Sequence, residues 1–242
     1  MIEDNKPIGL DVDALKRNPE AQAFMALREG KRIPFRYLIP LAIRAMFVEP
    51  WLYIVRNWPG PAGMLLRQKW YRFRMKKMGK NVFIDEGVRI YGPENIEISD
   101  YVKIDSGVML DARIGSISIG KRVHIAPNAL ISGAGGVTIG DYVAVAYGTT
   151  IFSHSEVVVD GKRLSGPMVP EEMKGMKTAP IVIGKDALLA TYSVVLPGVN
   201  VGEGAVLGAM SVATRSIPPW TIAFGAPARA SGNRKPVDVE DI

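Results

Sequence analysis

The side chains best suited to moving a proton near neutral pH are two histidines, His124 and His154. An imidazole has an ordinary pKa of about 6.5, so it can accept a proton and return it within one reaction cycle. The sequence contains no cysteine, which excludes disulfides, thiolate nucleophiles and cysteine-based metal sites. One chain also lacks the three histidines of a tris-histidine zinc site, and we predict that no metal is required.

These histidines lie within a repeat that governs the last two thirds of the chain. Aliphatic residues recur at intervals of six, with a few insertions of two or three residues. A period of six fits neither an α-helix nor a simple alternating strand, but it fits short strands separated by tight corners. Three such strands would make a coil of 18 residues, so Ile183 should stack on Val201 and Leu189 on Leu207. We call these aliphatic residues the hexad ladder: Ile84, Ile90, Ile98, Ile104, Leu110, Ile119, Ile125, Ile131, Ile139, Val145, Ile151, Ile183, Leu189, Val195, Val201, Leu207 and Ala213.

The ladder predicts an all-β solenoid, a parallel β-helix over residues 81–230, with residues 231–242 as a tail. An ordinary β-sandwich is the alternative, but its strands and turns would not repeat in units of six.

Three further segments carry a resemblance: Ile183-Gly-Lys-Asp-Ala-Leu-Leu-Ala, Pro197-Gly-Val and Gly225-Ala-Pro-Ala-Arg. With the ladder, they make the chain similar to the hexapeptide-repeat acyltransferases, and among these to the sugar O-acetyltransferases. The resemblance implies a left-handed β-helix, a homotrimer with sites between subunits, acetyl-CoA as co-substrate and a sugar acceptor.

The ladder stops at Ile151 and resumes at Ile183, which predicts an extruded loop at residues 152–182. His154 stands at the mouth of that loop. In the family that the chain resembles, a histidine at such a position is the general base. It would deprotonate the acceptor hydroxyl, which then attacks the thioester carbonyl. A structural role is the alternative for His154. For His124, at a strand position, a structural or side-lining role is favoured over catalysis.

The resemblance also implies a set of coenzyme A contacts near the last coils. Small residues there would allow pantetheine to approach the backbone closely. Guanidinium groups pair well with phosphate oxygens, so the two arginines would meet the 3′-phosphate or pyrophosphate. The alternative is that these residues only close the solenoid. The implied contacts are Thr191, Ala209, Thr214, Arg215 and Arg229.

Residues 1–80 lack the ladder and are basic, with 16 Lys and Arg against 7 Asp and Glu. Helices are expected at residues 11–30, 34–57 and 63–80. Residues 67–80 carry seven positive charges and no negative charge. Peripheral contact with an anionic membrane through residues 63–80 is one interpretation. The other is a helix that packs Leu66, Trp70 and Phe73 on the β-helix.

The most apolar stretch, residues 37–55, contains two charged residues and the prolines Pro40 and Pro50. We therefore expect it to be too interrupted to span a membrane. The first residues lack the basic and apolar pattern of a secretory signal, so a cytoplasmic location is expected, with contact at the inner face of the membrane as an option. The basic excess lies in the first third, which argues against a nucleic-acid partner.

The favoured function is acetyl-CoA-dependent O-acetylation of a sugar in surface polysaccharide or lipopolysaccharide biosynthesis. An N-acyltransferase for an amino sugar or nucleotide-linked sugar is an alternative, as is a non-catalytic β-helix scaffold. A γ-type carbonic anhydrase shares the predicted coil, but its closely spaced pair of histidines is missing.

Overall fold

The protein is a β-solenoid of about seven turns preceded by a helical region. The computed structural model describes residues 19–156, 161, 163–164, 173 and 175–238. The predicted fold class, a left-handed parallel β-helix with an N-terminal helical segment, is confirmed.

The hexad ladder forms the core of the solenoid. Each of its residues is at most 7% exposed. Ile183 pairs with Val201 and Leu189 with Leu207 in the strand register, which confirms the predicted stacking. Burying one aliphatic side chain of this size contributes about 1.5–3 kcal/mol, so the stacked ladder accounts for the repeat.

The strands form three parallel sheets, one for each side of the coil. The first sheet contains β1 (Lys77–Met78), β4 (Ile96–Ile98), β7 (Ile117–Ile119), β10 (Val137–Ile139), β15 (Ile181–Ile183) and β18 (Asn200–Val201). The second contains β2 (Phe83–Ile84), β5 (Lys103–Ile104), β8 (His124–Ile125), β11 (Ala144–Val145), β16 (Leu188–Leu189), β19 (Val206–Leu207), β21 (Thr221–Phe224) and β22 (Arg229–Asn233). The third contains β3 (Arg89–Tyr91), β6 (Met109–Asp111), β9 (Leu130–Ser132), β12 (Thr150–Phe152), β17 (Val194–Val195) and β20 (Val212–Ala213).

Among the described strands, two antiparallel pairings depart from this pattern. β21 and β22 form a hairpin at the end of the second sheet, so ordered strand extends into the predicted tail at residues 231–242. β13 (His154–Glu156) and β14 (Met176–Thr178) form a separate ribbon. This ribbon is the base of the predicted loop, and most of the loop beyond it lies outside the described residues. At the other end, β1 precedes the predicted start at residue 81.

In the described part of the chain before the solenoid, from residue 19 onward, there are four α-helices and a π-helical segment. They are α1 (Pro19–Arg28), α2 (Phe35–Ile43), the π-helical segment (Arg44–Val48), α3 (Glu49–Asn57) and α4 (Gly60–Arg74); a 3₁₀ turn (Pro93–Asn95) lies within the solenoid.

The middle three of these segments form one continuous run, Phe35–Asn57, which we call the apolar helix. The expectation that Pro40 and Pro50 interrupt it is wrong, because Pro40 lies inside α2 and Pro50 lies in the first turn of α3. Pro50 has no backbone N–H to donate, and the π-helical segment directly before it changes the hydrogen-bonding pattern at this point of the helix. By length and composition this helix of 23 residues could cross a membrane, with a mean hydropathy of 1.6 and 6% of that stretch buried.

Helix α4 packs on the first coil mainly through a face that was not predicted, and Trp70 of the predicted face also packs against the core. Gly63, Arg67 and Tyr71 are its buried residues, whereas Phe73 is 86% exposed. Burial lowers the pKa of Arg67 despite nearby acidic groups. Its guanidinium donates to the carbonyl oxygens of Ile84 (2.8 Å) and Trp58 (2.8 Å). One of the seven predicted surface charges is therefore an internal link between the helices and the solenoid.

Candidate active site

The chain leaves the solenoid at Ser153, directly after β12. The Ser153 hydroxyl is buried, donates to the carbonyl of Ser132 (2.7 Å) and accepts from the backbone N–H of Gly135 (2.8 Å). A Cβ at Gly135 would lie 2.5 Å from the Ser153 carbonyl oxygen, so this position requires glycine. The chain returns at Ala179, whose N–H donates to the same carbonyl (3.0 Å). These contacts fix the mouth of the loop.

His154 is the next residue and is half-buried. Its Nδ1 lies 3.3 Å from the Ser132 hydroxyl oxygen, and its ring meets Phe152 edge to face with centroids 5.5 Å apart. When Nδ1 carries the ring proton and donates to Ser132, Nε2 keeps its lone pair and can accept a proton. The imidazole is therefore oriented on both sides, as a general base requires.

The carboxylate of Asp111 lies near His154 and Ser132. Asp111, Ser132 and Phe152 occupy equivalent positions on successive coils of the third sheet. Burial raises the pKa of Asp111, but hydrogen bonds from Arg113 and the positive charges of Arg113 and His154 outweigh it and hold that pKa below its usual value. Asp111 thus places fixed negative charge near the imidazole.

His124 has a stronger polar setting than its strand position predicted. Its Nε2 lies 2.7 Å from Oδ2 of Asp105, and the Lys103 amine lies 2.9 Å from the other carboxylate oxygen. Burial raises the pKa of Asp105, but hydrogen bonds from Lys103 and His124 bring it below its usual value. This is a second oriented imidazole, on the outer face of the second sheet.

The residues assigned to coenzyme A fall at two places on the solenoid, one at each edge of the third sheet. Thr191 and Ala209 occupy equivalent exposed corners between the second and third sheets, where the N–H of Met210 donates to the Thr191 carbonyl (2.9 Å). Thr214 and Arg215 lie at the opposite edge of the third sheet, directly after β20. His154 leaves the coil at the same edge of the third sheet as Thr214 and Arg215, because it follows β12 of that sheet.

Arg215 and Arg229 line one shallow pocket of about 190 Å³, formed where the final hairpin meets the last coil. Within the described residues, neither guanidinium forms an ion pair. The structure therefore brings the two arginines together in one protomer but does not place them with Thr191 and Ala209.

A row of polar and aromatic side chains follows the corner that bears Thr191. The Asn128 amide donates to the Tyr147 hydroxyl (3.0 Å), and the Tyr147 and Tyr192 rings meet edge to face at 5.3 Å. Asn128 and Tyr192 both have positive φ angles, as tight corners require. Such rings can stack on a sugar or a base.

Several of these residues were missed by sequence reasoning. Ser132, Asp111 and Asp105 come close to a histidine only through the coil register. Each of the three lies one or two coils before the histidine that it approaches. An alignment of the sequence coil by coil would have revealed these positions. Among the described residues, no cluster of three or more His, Asp or Glu side chains could hold a metal ion.

Comparison with known proteins gives curated relatives but no matching family model. A dTDP-4-amino-4,6-dideoxy-D-glucose acyltransferase of Escherichia coli is 35% identical over 169 residues, which are 69% of this chain and 88% of the relative. The putative lipopolysaccharide biosynthesis O-acetyl transferase WbbJ of Escherichia coli K12 is 37% identical over 78 residues, which are 32% of this chain and 37% of that protein.

Solved structures agree with this result. AntD, an N-acyltransferase from Bacillus cereus, in complex with dTDP and 3-hydroxybutyryl-CoA, matches with a TM-score of 0.65 and 30% identity over 70% of this chain and 88% of AntD. The hexapeptide-repeat acetyltransferase VCA0836 from Vibrio cholerae, complexed with acetyl-CoA, has a TM-score of 0.54, 20% identity and coverage of 88% and 98%; it shows the shared fold.

Three stacked parallel sheets, coils that repeat every 18 to 21 residues and an oriented histidine at a loop mouth define a protein of the hexapeptide-repeat class. The chain belongs to the sugar acyltransferases of the hexapeptide-repeat family.

Proposed function

We propose that the protein transfers an acyl group from an acyl-CoA to the amino group of a nucleotide-linked amino sugar. The relative matched over 88% of its length is an acyltransferase for a dTDP-linked amino sugar, and AntD is an N-acyltransferase. WbbJ is matched over only 37% of its length. These matches support N-acylation over the O-acetylation that the sequence alone favoured.

The observation that carries the proposal is the orientation of His154 by Ser132 at the loop mouth. An amine attacks the thioester carbonyl only when it is unprotonated, and the tetrahedral intermediate must then lose a proton. The free Nε2 of His154 accepts that proton, and the coenzyme A thiolate leaves. Asp111, which pairs with Arg113, places a carboxylate near the imidazole.

The acyl donor is assigned to the last coils. Arg215 and Arg229 present two guanidinium groups in one pocket, which suits the phosphates of coenzyme A. Thr191 and Ala209 offer small side chains at an exposed corner, which suits the narrow pantetheine arm. Arg215→Gln should therefore raise KM for acyl-CoA with a smaller effect on kcat.

Release of free thiol, measured over a panel of acceptors, tests the proposal. The panel pairs dTDP-linked amino sugars with the corresponding hydroxy sugars, and acetyl-CoA with 3-hydroxybutyryl-CoA. His154→Gln should lower kcat by about 100-fold or more, and His124→Gln, the other oriented histidine, is the comparison. Turnover that survives His154→Gln but not His124→Gln would overturn the choice of base.

O-acetylation remains the second candidate because WbbJ shares part of the solenoid. The two products differ in chemistry: an ester is cleaved by mild hydroxide and an amide is not. Mass spectrometry of the product before and after such treatment decides between them. A hydroxide-labile product from a hydroxy sugar would replace the N-acyl proposal.

A further inference from the structure

The apolar helix, Phe35–Asn57, is almost entirely uncovered. Within Phe35–Asn57, all of which the structure describes, only Val55 is buried. No residue of α2 or of the π-helical segment is buried. Its exposed large apolar residues occur at almost every angle around the helix axis, so no single face is apolar. They are Phe35, Leu38, Ile39, Ile43, Met46, Phe47, Val48, Trp51, Tyr53 and Ile54.

The dimensions of this helix suit a bilayer. Its 23 residues correspond to a length of about 34 Å at about 1.5 Å per residue. The hydrocarbon part of a bilayer is about 30 Å thick. A helix that is apolar all round is covered either by a large protein core or by lipid. Here the described part of the solenoid covers only its C-terminal end.

The helix contains four charged residues: Arg36 and Arg56 lie near its two ends, and the two in its middle, Arg44 and Glu49, are paired with one another. Arg44 Nε lies 2.9 Å from Glu49 Oε1, five residues along the chain. In a regular α-helix, residues five apart point in different directions, but the π-helical segment Arg44–Val48 widens the turn and brings them together. The pair carries no net charge, so entry into an apolar phase is less costly than for separate ions.

The ends of the helix carry the residue types found at membrane surfaces. Lys31, Arg32 and Arg36 are exposed at the N-terminal end. Trp51, Tyr53 and Trp58 are exposed at the C-terminal end. Aromatic rings favour the interface between lipid and water, and basic side chains are attracted to anionic headgroups.

The C-terminal end of the helix contacts both α4 and the first coil of the solenoid. The Trp51 and Trp70 rings meet edge to face at 6.0 Å, and the N–H of Gly87 donates to the Arg56 carbonyl (2.9 Å). Arg67 adds a hydrogen bond to the carbonyl of Trp58 (2.8 Å). A membrane that held the helix would therefore hold the solenoid at its N-terminal end.

From these features we infer that the apolar helix inserts into a lipid bilayer and docks the protein on an anionic membrane. A second copy of the chain would cover one side of the helix and leave the others in water, whereas lipid covers every side. The lipid contact is thus assigned to residues 35–57, and the basic side chains within residues 63–80 add electrostatic attraction. This inference does not depend on the proposed function.

Flotation with vesicles tests the inference. Full-length protein is mixed with phosphatidylcholine vesicles that contain or lack phosphatidylglycerol, and the bound fraction is measured. The wild type should float with both, and more completely with the anionic vesicles. The double variant Met46→Gln, Phe47→Gln should lower binding at least about tenfold, because both side chains are exposed and glutamine keeps the helix.

The matched control is Tyr101→Gln with Val182→Gln, two exposed apolar residues on the solenoid. It should float like the wild type. Circular dichroism and the mass in solution are measured for every variant. A wild type that stays in the unbound fraction would refute the inference. So would a Met46 and Phe47 variant that changes the oligomeric mass and leaves flotation unaltered, since the helix would then be an interface between protein chains.

Discussion

At the scale of single residues, the carboxylate of Asp111 ties the stability of the candidate site to pH. Its side chain pairs with Arg113 (2.6 Å) and is mostly shielded from solvent. Because its pKa is lowered in the folded protein, the group contributes stability above the ordinary pKa of an aspartate, about 3.9. That contribution is lost as the pH falls through the folded-state value.

Asp111→Asn should therefore lower the free energy of unfolding by about 1 kcal/mol at neutral pH, a figure reduced for the exposure of Arg113. The difference from the wild type should shrink as the pH falls below about 4. Urea unfolding at neutral and acidic pH measures it, with Asp238→Asn at an exposed terminal position as the control. A difference that grows in acid would contradict the assignment.

The sequence predicts which residue stands at the loop mouth but not what orients it. The position of His154 at the loop mouth is predicted directly by the break in the ladder after Ile151. Its neighbours, Ser132 and Asp111, are polar residues at ordinary strand positions and carry no signal of their own. They reach the imidazole because insertions in the ladder set the coil register. Those insertions are visible in the sequence, but their effect on side-chain distances is not.

At the scale of elements, the loop mouth depends on one buried hydroxyl. Ser153→Ala would leave the carbonyl of Ser132 and the N–H of Gly135 without their side-chain partner. We expect a loss of about 2 kcal/mol in the free energy of unfolding. We also expect a lower kcat with little change in KM for acyl-CoA, because the ribbon that holds His154 is displaced.

Ser155→Ala is the matched control, because Ser155 is an exposed serine of the same ribbon. Thermal unfolding and steady-state kinetics on both variants separate the two roles. Equal stability and equal kcat in the two variants would show that the buried hydroxyl does not position the loop.

The contact between the helices and the solenoid depends on Arg67. Its guanidinium satisfies carbonyl oxygens of α3, the following connection and β2, and it is 1% exposed. Arg67→Met keeps much of the volume but leaves those carbonyls unpaired. We expect a loss of about 3 kcal/mol and faster proteolysis at residues 58–60.

The control for this change is Arg72→Met, an exposed arginine on the same helix with one long hydrogen bond (3.3 Å). It should melt and be cleaved like the wild type. Equal losses of stability in the two variants would assign the effect to the charge of α4, and wild-type stability in both would show that the buried guanidinium is dispensable.

The helical region shows where sequence patterns mislead. Seven basic residues suggested a solvated or lipid-facing helix, yet the chain buries Arg67 because the end of the solenoid presents carbonyl oxygens there. Prolines suggested breaks, yet Pro40 lies inside α2, and Pro50 directly follows the π-helical segment without ending the helical run. Both outcomes depend on neighbouring elements, whereas the hexad ladder is self-sufficient because each coil covers the next.

At the scale of the whole molecule, the candidate site is divided within one protomer. His154, Thr214 and Arg215 lie on one edge of the third sheet, and Thr191 and Ala209 lie on the other. Two corners of one straight coil face away from each other. A cyclic homotrimer, which remains a prediction here, would set one edge against the opposite edge of the next protomer.

Mixed assemblies test this arrangement. One variant, His154→Gln, removes the base, and the other, Ala209→Trp, fills the corner assigned to pantetheine. Each alone should be inactive and should have the mass of three chains, 3 × 26.4 kDa = 79.2 kDa. When equal amounts of the two variants are co-expressed, mixed trimers form. In each mixed trimer, one interface combines an unaltered His154 from one subunit with an unaltered Ala209 from the next subunit. Random assembly then gives about one quarter of the wild-type activity per chain.

The same two variants purified separately and then combined serve as the control. If every site were complete within one chain, co-expression would restore nothing, and the divided site would be refuted.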